Sequence, residues 1–198
     1  NVTKTVSGNS LVITATITNQ PGAGYGHFGG FLLPELTLGT NAFGYDFTGS
    51  GVLVPLSTAH ANKQLITRYP WNYSPLLVVK SGDTLISFSF HYPVLDYKHD
   101  MEFAIKYAGG GWWQPTHLAT FFDYPTTPPG DYHSISAYLA PGASRLYKLV
   151  ITTGSTLAEV VAPYKAYFDS LYPGGKQYTP DLRPFLGWAL AAQDAPGY

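Results

Sequence analysis

Cysteine is absent from the 198 residues. No disulfide, thiol nucleophile or thiolate-held metal can therefore be built from this chain. Charge is scarce: Asp, Glu, Lys and Arg make up 12% of the residues, about half the ~25% usual in soluble proteins. What charge there is nearly cancels, at a formal −1. With no basic stripe, a nucleic-acid partner is not expected. No apolar run approaches the ~18 residues a membrane span needs, so none is expected. The single methionine is not the first residue, which is Asn1. That start suggests either a removed signal peptide or a piece cut from a longer chain. Repeats of fixed period and low-complexity tracts are also missing.

What is present is apolar and ring-rich: 45% hydrophobic and 16% aromatic residues, with 16 Tyr, 21 Gly and 16 Pro. Disorder needs low hydrophobicity and high charge, so it is excluded. Aromatic-rich strands joined by frequent turns produce this mixture.

Period-2 alternation marks those strands. Leu11, Ile13, Ala15 and Ile17 share one face, opposite Val12, Thr14, Thr16 and Thr18. Gly8-Asn9 before them is a turn signal that makes Thr3–Ser7 a hairpin partner. Ile86, Phe88, Phe90 and Tyr92 form a second apolar face, opposite Ser87, Ser89 and His91. Met101, Phe103, Ile105 and Tyr107 form a third. Ile135, Ala137 and Leu139, and then Tyr147, Leu149 and Ile151, suggest two more, with shorter candidates at 31–38, 51–56 and 76–80. One helix is expected. Thr156-x-x-Glu159 is a capping box, and Leu157, Val160, Val161, Tyr164, Phe168 and Leu171 follow as an apolar stripe. Pro163 predicts a kink or a restart. The expected fold is all-β, an antiparallel two-sheet β-sandwich over 1–154, with a C-terminal helix over 155–175. Residues 176–198 are expected to be an extended, docked tail or the start of a further domain.

Two stretches carry a resemblance. Asn9-Ser10-Leu11-Val12-Ile13-Thr14-Ala15-Thr16-Ile17-Thr18-Asn19 resembles an early strand of bacterial and archaeal immunoglobulin-like surface modules. Leu139-Ala140-Pro141-Gly142-Ala143-Ser144-Arg145-Leu146-Tyr147-Lys148-Leu149 is similar to their late Pro-Gly turn and strand. A third, from Ala162-Pro163-Tyr164 through Arg183-Pro184-Phe185-Leu186-Gly187, resembles the join between an N-terminal sandwich and the catalytic barrel of some glycoside-hydrolase-like proteins. A barrel of ~250 residues does not fit in this chain. These resemblances imply a spacer, adhesin, filament subunit or carbohydrate binder, and bring no catalytic residue.

Gly24-Tyr25-Gly26-His27-Phe28-Gly29 matches the dinucleotide fingerprint, but no helix pattern follows, so a glycine-rich loop is the reading. There is no G-x-S-x-G elbow. Asp100 and Glu102 would project from one strand face about 7 Å apart. A solvated face accounts for them; Ca²⁺ binding or a glycosidase acid–base pair are the alternatives. His117, Asp123, Asp131 and His133 fit no ligand spacing, so neither a metal nor another cofactor is expected. Aromatic groups are the better lead. Trp112 and Trp113 on a strand would point to opposite faces, one inward and one outward. Tyr69, Trp71 and Tyr73 form a second group. Exposed rings of this kind stack on sugars or anchor protein interfaces. Asn1 and Asn72 each open an N-x-[ST] glycosylation tripeptide.

The resulting expectation is a non-catalytic extracellular structural or interaction module, a self-assembling surface or filament subunit whose partners are further copies of itself or other surface proteins. The alternative is a carbohydrate-binding accessory domain of a glycoside-hydrolase-like enzyme.

Overall fold

The computed structural model describes residues 1–24, 26–27, 31–47, 51–59, 62–67, 76–91, 102–118, 138–171 and 173–174. The tail 176–198, Tyr92 and the start of the 135–139 strand lie outside the described residues.

The first hairpin follows from its sequence. Strands β1 (Val2–Ser7) and β2 (Ser10–Thr18) pair antiparallel in unbroken register from Val2↔Ala15 to Ser7↔Ser10. The two-residue turn between them places Gly8 at a φ of 58°, where a side chain would be strained. Short strands follow: β3 (Gly26–His27), β4 (Leu36–Thr37), β5 (Phe43–Tyr45), β6 (Leu53–Pro55) and β7 (Gln64–Thr67). Longer ones come next: β8 (Leu76–Ser81), β9 (Thr84–Phe90), β10 (Glu102–Gly109) and β11 (Trp112–Leu118). Then β12 (Tyr138–Leu139) and β13 (Ser144–Gly154) lead into helix α1 (Leu157–Leu171).

All pairings among these strands are antiparallel. A seven-stranded sheet runs in the order β1-β2-β13-β9-β8-β5-β6, and a four-stranded sheet in the order β4-β11-β10-β7. Strands β12 and β3 form a separate pair. The two main sheets make an all-β sandwich, and α1 lies on the outer face of the larger one.

The main core fills the gap between the sheets. Phe88, Phe90, Leu77, Val79, Tyr147 and Leu149 from the large sheet meet Phe103, Ile105, Tyr107 and Trp113 from the small one. A second core lies under the helix, where Leu76, Val78 and Leu85 meet Val160 and Tyr164. Strand β8 serves both. Leu77 and Val79 point into the sandwich, while Leu76 and Val78 point at α1. A strand covered on both faces needs an unbroken apolar run, and Leu-Leu-Val-Val supplies it.

Strand β9 departs from the expectation of a single buried face. Phe88 and Phe90 are in the sandwich, but Ser87, Ser89 and His91 on the opposite face are also buried, beneath α1. Small hydroxyl side chains let the helix approach closely. Gly154 at the sheet–helix junction does the same, since a Cβ there would lie 3.0 Å from Val160.

The helix starts as its capping box requires. Thr156 Oγ1 accepts from the Glu159 amide at 3.3 Å, and Glu159 Oε2 accepts from the Thr156 amide at 3.2 Å and the Ser155 amide at 2.8 Å. Pro163 sits inside an unbroken helix, so the predicted restart does not occur. Its ring removes one amide and crowds the carbonyl a turn earlier, at a cost of about 3 kcal/mol in a helix interior. Burial of Val160 and Tyr164 offsets that cost, and Ser87 Oγ donates to the Val160 carbonyl at 2.6 Å.

Candidate interaction site

The two tryptophans are separated by the pleat. Strand β11 sends Trp113 into the sandwich, fully buried, and leaves Trp112 46% exposed on the outer side. Trp113 is therefore a core residue and not part of a surface platform. Its indole Nε1 donates to the Gly39 carbonyl at 2.7 Å, and its ring meets Tyr107 edge-on at 5.0 Å. The turn that carries Trp112 is held from below by these same groups. The Gly111 amide donates to Tyr107 Oη at 3.1 Å, and Gly39 and Leu38 donate back to the Gly111 carbonyl. Gly111 has a φ of 82°, and a Cβ there would lie 3.2 Å from Gly39 Cα, so any side chain would be strained and would crowd the Gly39 backbone. Trp112 thus stands on a fixed mount, its backbone paired with Thr37 in the sheet register.

Tyr69, Trp71, Asn72 and Tyr73 lie outside the described residues, as do Asp100, Asp123, Asp131 and His133. Glu102 opens β10 and His117 lies on β11. Gly26 and His27 pair with Leu139 and Tyr138 as a small ladder, and residues 31–35 form no helix; residues 25 and 28–30 of the glycine-rich stretch lie outside the described residues. No cluster of three or more metal-ligating side chains occurs among the described residues, and no described helix is long and apolar enough to cross a membrane.

One pair has the spacing of a nucleophile and its base. Ser89 Oγ lies 3.3 Å from His91 Nε2. Both residues are buried, and α1 covers them: His91 stacks on Tyr167 at 4.6 Å and meets Tyr164 edge-on at 6.3 Å. Among the described residues His91 Nδ1 has no hydrogen-bond partner, so none of them orients the ring as a base. Burial and then the nearby Lys148 ammonium push its pKa down to about 4, leaving a neutral imidazole at pH 7. The pair is packed beneath α1, with the imidazole against Tyr164 and Tyr167.

Strand β1 is an outer edge of the large sheet among the described residues. All six residues of β1 are exposed, with Val2 58% and Val6 79% accessible. Asn1 and Thr16 exchange both backbone hydrogen bonds, at 2.9 and 2.8 Å. In an antiparallel ladder such pairs alternate. Thr3, Thr5 and Ser7 therefore direct their amides and carbonyls toward β2, and Val2, Lys4 and Val6 direct theirs outward. The sequence signal was there, because Val2-Thr3-Lys4-Thr5-Val6 is strand-like with one charge and no proline.

No protein-family model matches the chain, and no curated protein matches it in sequence. Among solved structures, it is similar to the Slr1438 protein of Synechocystis sp. PCC 6803, at 13% identity and a TM-score of 0.45. The match covers 78% of this chain and 54% of that one, so this chain spans about half the length of that protein.

Proposed function

We propose that this chain is a non-catalytic structural or interaction module of the cell exterior that works by associating with itself. The observation that carries the reading is the exposed β1 edge. Native sheets shield their edges with proline, bulges, extra charge or very short strands, because an open edge templates pairing with another chain. Six residues in regular register with two exposed valines and one lysine have little such shielding. The likeness of 9–19 and 139–149 to immunoglobulin-like surface modules supports the same reading, as does the low charge. The test is the mass of the native particle, by light scattering with electron microscopy of the same sample. A particle larger than the 21.5 kDa chain is expected; a monomer at millimolar concentration overturns the reading.

Trp112 favours a second reading, a carbohydrate-binding accessory domain. A half-exposed indole on a rigid turn is a surface on which a sugar ring stacks. Binding to a glycan array that Trp112→Ala abolishes, in a chain that still folds, is the outcome expected of it.

A further inference from the structure

The sandwich has four free strand edges among the described residues: β1 and β6 in the large sheet, β4 and β7 in the small one. Three are guarded. Strand β6 has three residues and ends on Pro55, and β4 has two. Strand β7 pairs with β10 in broken register and contains Leu65 at a φ of 53°. Only β1 is long, regular and free of proline. An open filament built by sheet extension needs two compatible edges, one at each end of the sheet. This sheet has one. A single competent edge can extend only onto its own copy, and the assembly then closes.

We infer that two copies of this chain pair β1 to β1 about a twofold axis, joining their large sheets into one continuous sheet. The inference rests on the self-association reading above and narrows it to one contact. Val2-Thr3-Lys4-Thr5-Val6 reads the same in both directions. In an antiparallel pair centred on Lys4, Val2 of each copy faces Val6 of the other, Thr3 faces Thr5, and Lys4 faces Lys4. That register places the outward-directed amides and carbonyls of Val2, Lys4 and Val6 opposite one another. Each of these three positions is then a hydrogen-bonded pair. Both exposed valines find an apolar partner.

Two features limit the strength of the contact. A six-residue edge buries well under the ~1,200 Å² of a standard stable interface, so the dimer is weak and concentration-dependent. The two Lys4 ammoniums also oppose one another. Like charges directly across a ladder disfavour pairing, and salt relieves them. Lys4→Thr is expected to tighten the dimer about threefold, and added salt to tighten the unaltered chain.

The chain has no cysteine, so a single introduced thiol reports the register without interference. In a pair centred on residue 4, the two copies of that residue lie about 5.5 Å apart, within disulfide reach. Lys4→Cys should oxidise to a covalent dimer. Val2→Cys alone and Val6→Cys alone should not, whereas an equal mixture of the two should give a heterodimer. Val6→Pro removes one outward amide and leaves the β1–β2 ladder intact. It should make the chain monomeric with an unchanged circular dichroism spectrum. A larger particle whose mass survives Val6→Pro, or whose Lys4→Cys form fails to cross-link, overturns the β1 pairing and leaves self-association standing. A monomer at millimolar concentration overturns both. If Val6→Pro unfolds the chain, the cysteine series decides alone.

Discussion

The two faces of the seven-stranded sheet are buried by different means. The inner face meets the second sheet through large rings and branched aliphatics: Phe88, Phe90 and Tyr147 against Phe103, Tyr107 and Trp113. The face beneath α1 combines a small apolar patch with hydroxyls and an imidazole. Ser87 bonds the helix backbone, Ser10 Oγ and buried Thr152 Oγ1 lie 2.9 Å apart, and His91 stacks on Tyr167. The inner face is specified by shape and loses stability through cavities. The outer face is specified by hydrogen bonds and protonation state, and it responds to solution conditions. The helix is the conditional layer of the molecule.

The largest expected effect is in the core that packs against the inner face. Trp113→Ala empties a fully buried site and leaves the Gly39 carbonyl without its indole donor. It should cost about 3–5 kcal/mol, which is on the order of 10 °C in Tm for a domain of this size. Trp112→Ala, one residue away on the exposed side, should cost less than about 1 kcal/mol. Denaturant unfolding of the pair checks this, and equal losses would mean that the core between the sheets is not where the larger share of stability lies.

The parts of the fold that were legible in the sequence were those with a local cause. The period-2 pattern of Leu11, Ile13, Ala15 and Ile17 reports a half-buried strand, and Thr156 with Glu159 reports a helix start. The sheathing of Ser87, Ser89 and His91 was not legible. A polar alternate face ordinarily means solvent, and a helix seventy residues downstream covers this one. Strands β5 and β7 are not legible, because three or four residues around Gly44 or Leu65 carry no periodicity. At the candidate site, the chain order implied that Trp112 and Trp113 diverge. Which one turns inward depends on the register of β10 with β11, a non-local fact.

A second prediction tests the response of the outer face to pH. His91 has a folded pKa of about 4 against 6.5 in the ordinary state. Between those values the unfolded chain binds the proton more readily, so stability falls as pH drops from 6.5 to 4 and is level outside that window. The groups that face the ring are Ser89, Lys148, Tyr164 and Tyr167. With allowance for partial solvation of the ring, the swing is on the order of 2 kcal/mol. Urea unfolding at pH 7 and pH 4.5 should show it in the unaltered chain. His91→Phe keeps a stacked ring without the proton and should flatten that part of the dependence. Identical slopes in the two proteins would place the acid response elsewhere.

The smallest effect belongs to the start of the helix. Thr156→Ala removes the acceptor for the Glu159 amide and should cost about 1 kcal/mol. The Glu159 carboxylate is held below its ordinary pKa chiefly by the Ser155 amide, then by the Ser155 hydroxyl and the Thr156 amide. Its share of the cap is therefore present above the ordinary carboxylate range and fades as pH falls through the lowered folded value. If the helix is the conditional layer, its first turn should loosen before the sandwich does. Hydrogen exchange should then accelerate in Thr156→Ala over Leu157–Tyr164, while the amides of Phe103, Ile105 and Trp113 keep their protection. Acceleration shared equally by both sets would show that helix and sandwich open as one unit, and the contrast between the two faces would then be one of chemistry without a difference in cooperativity.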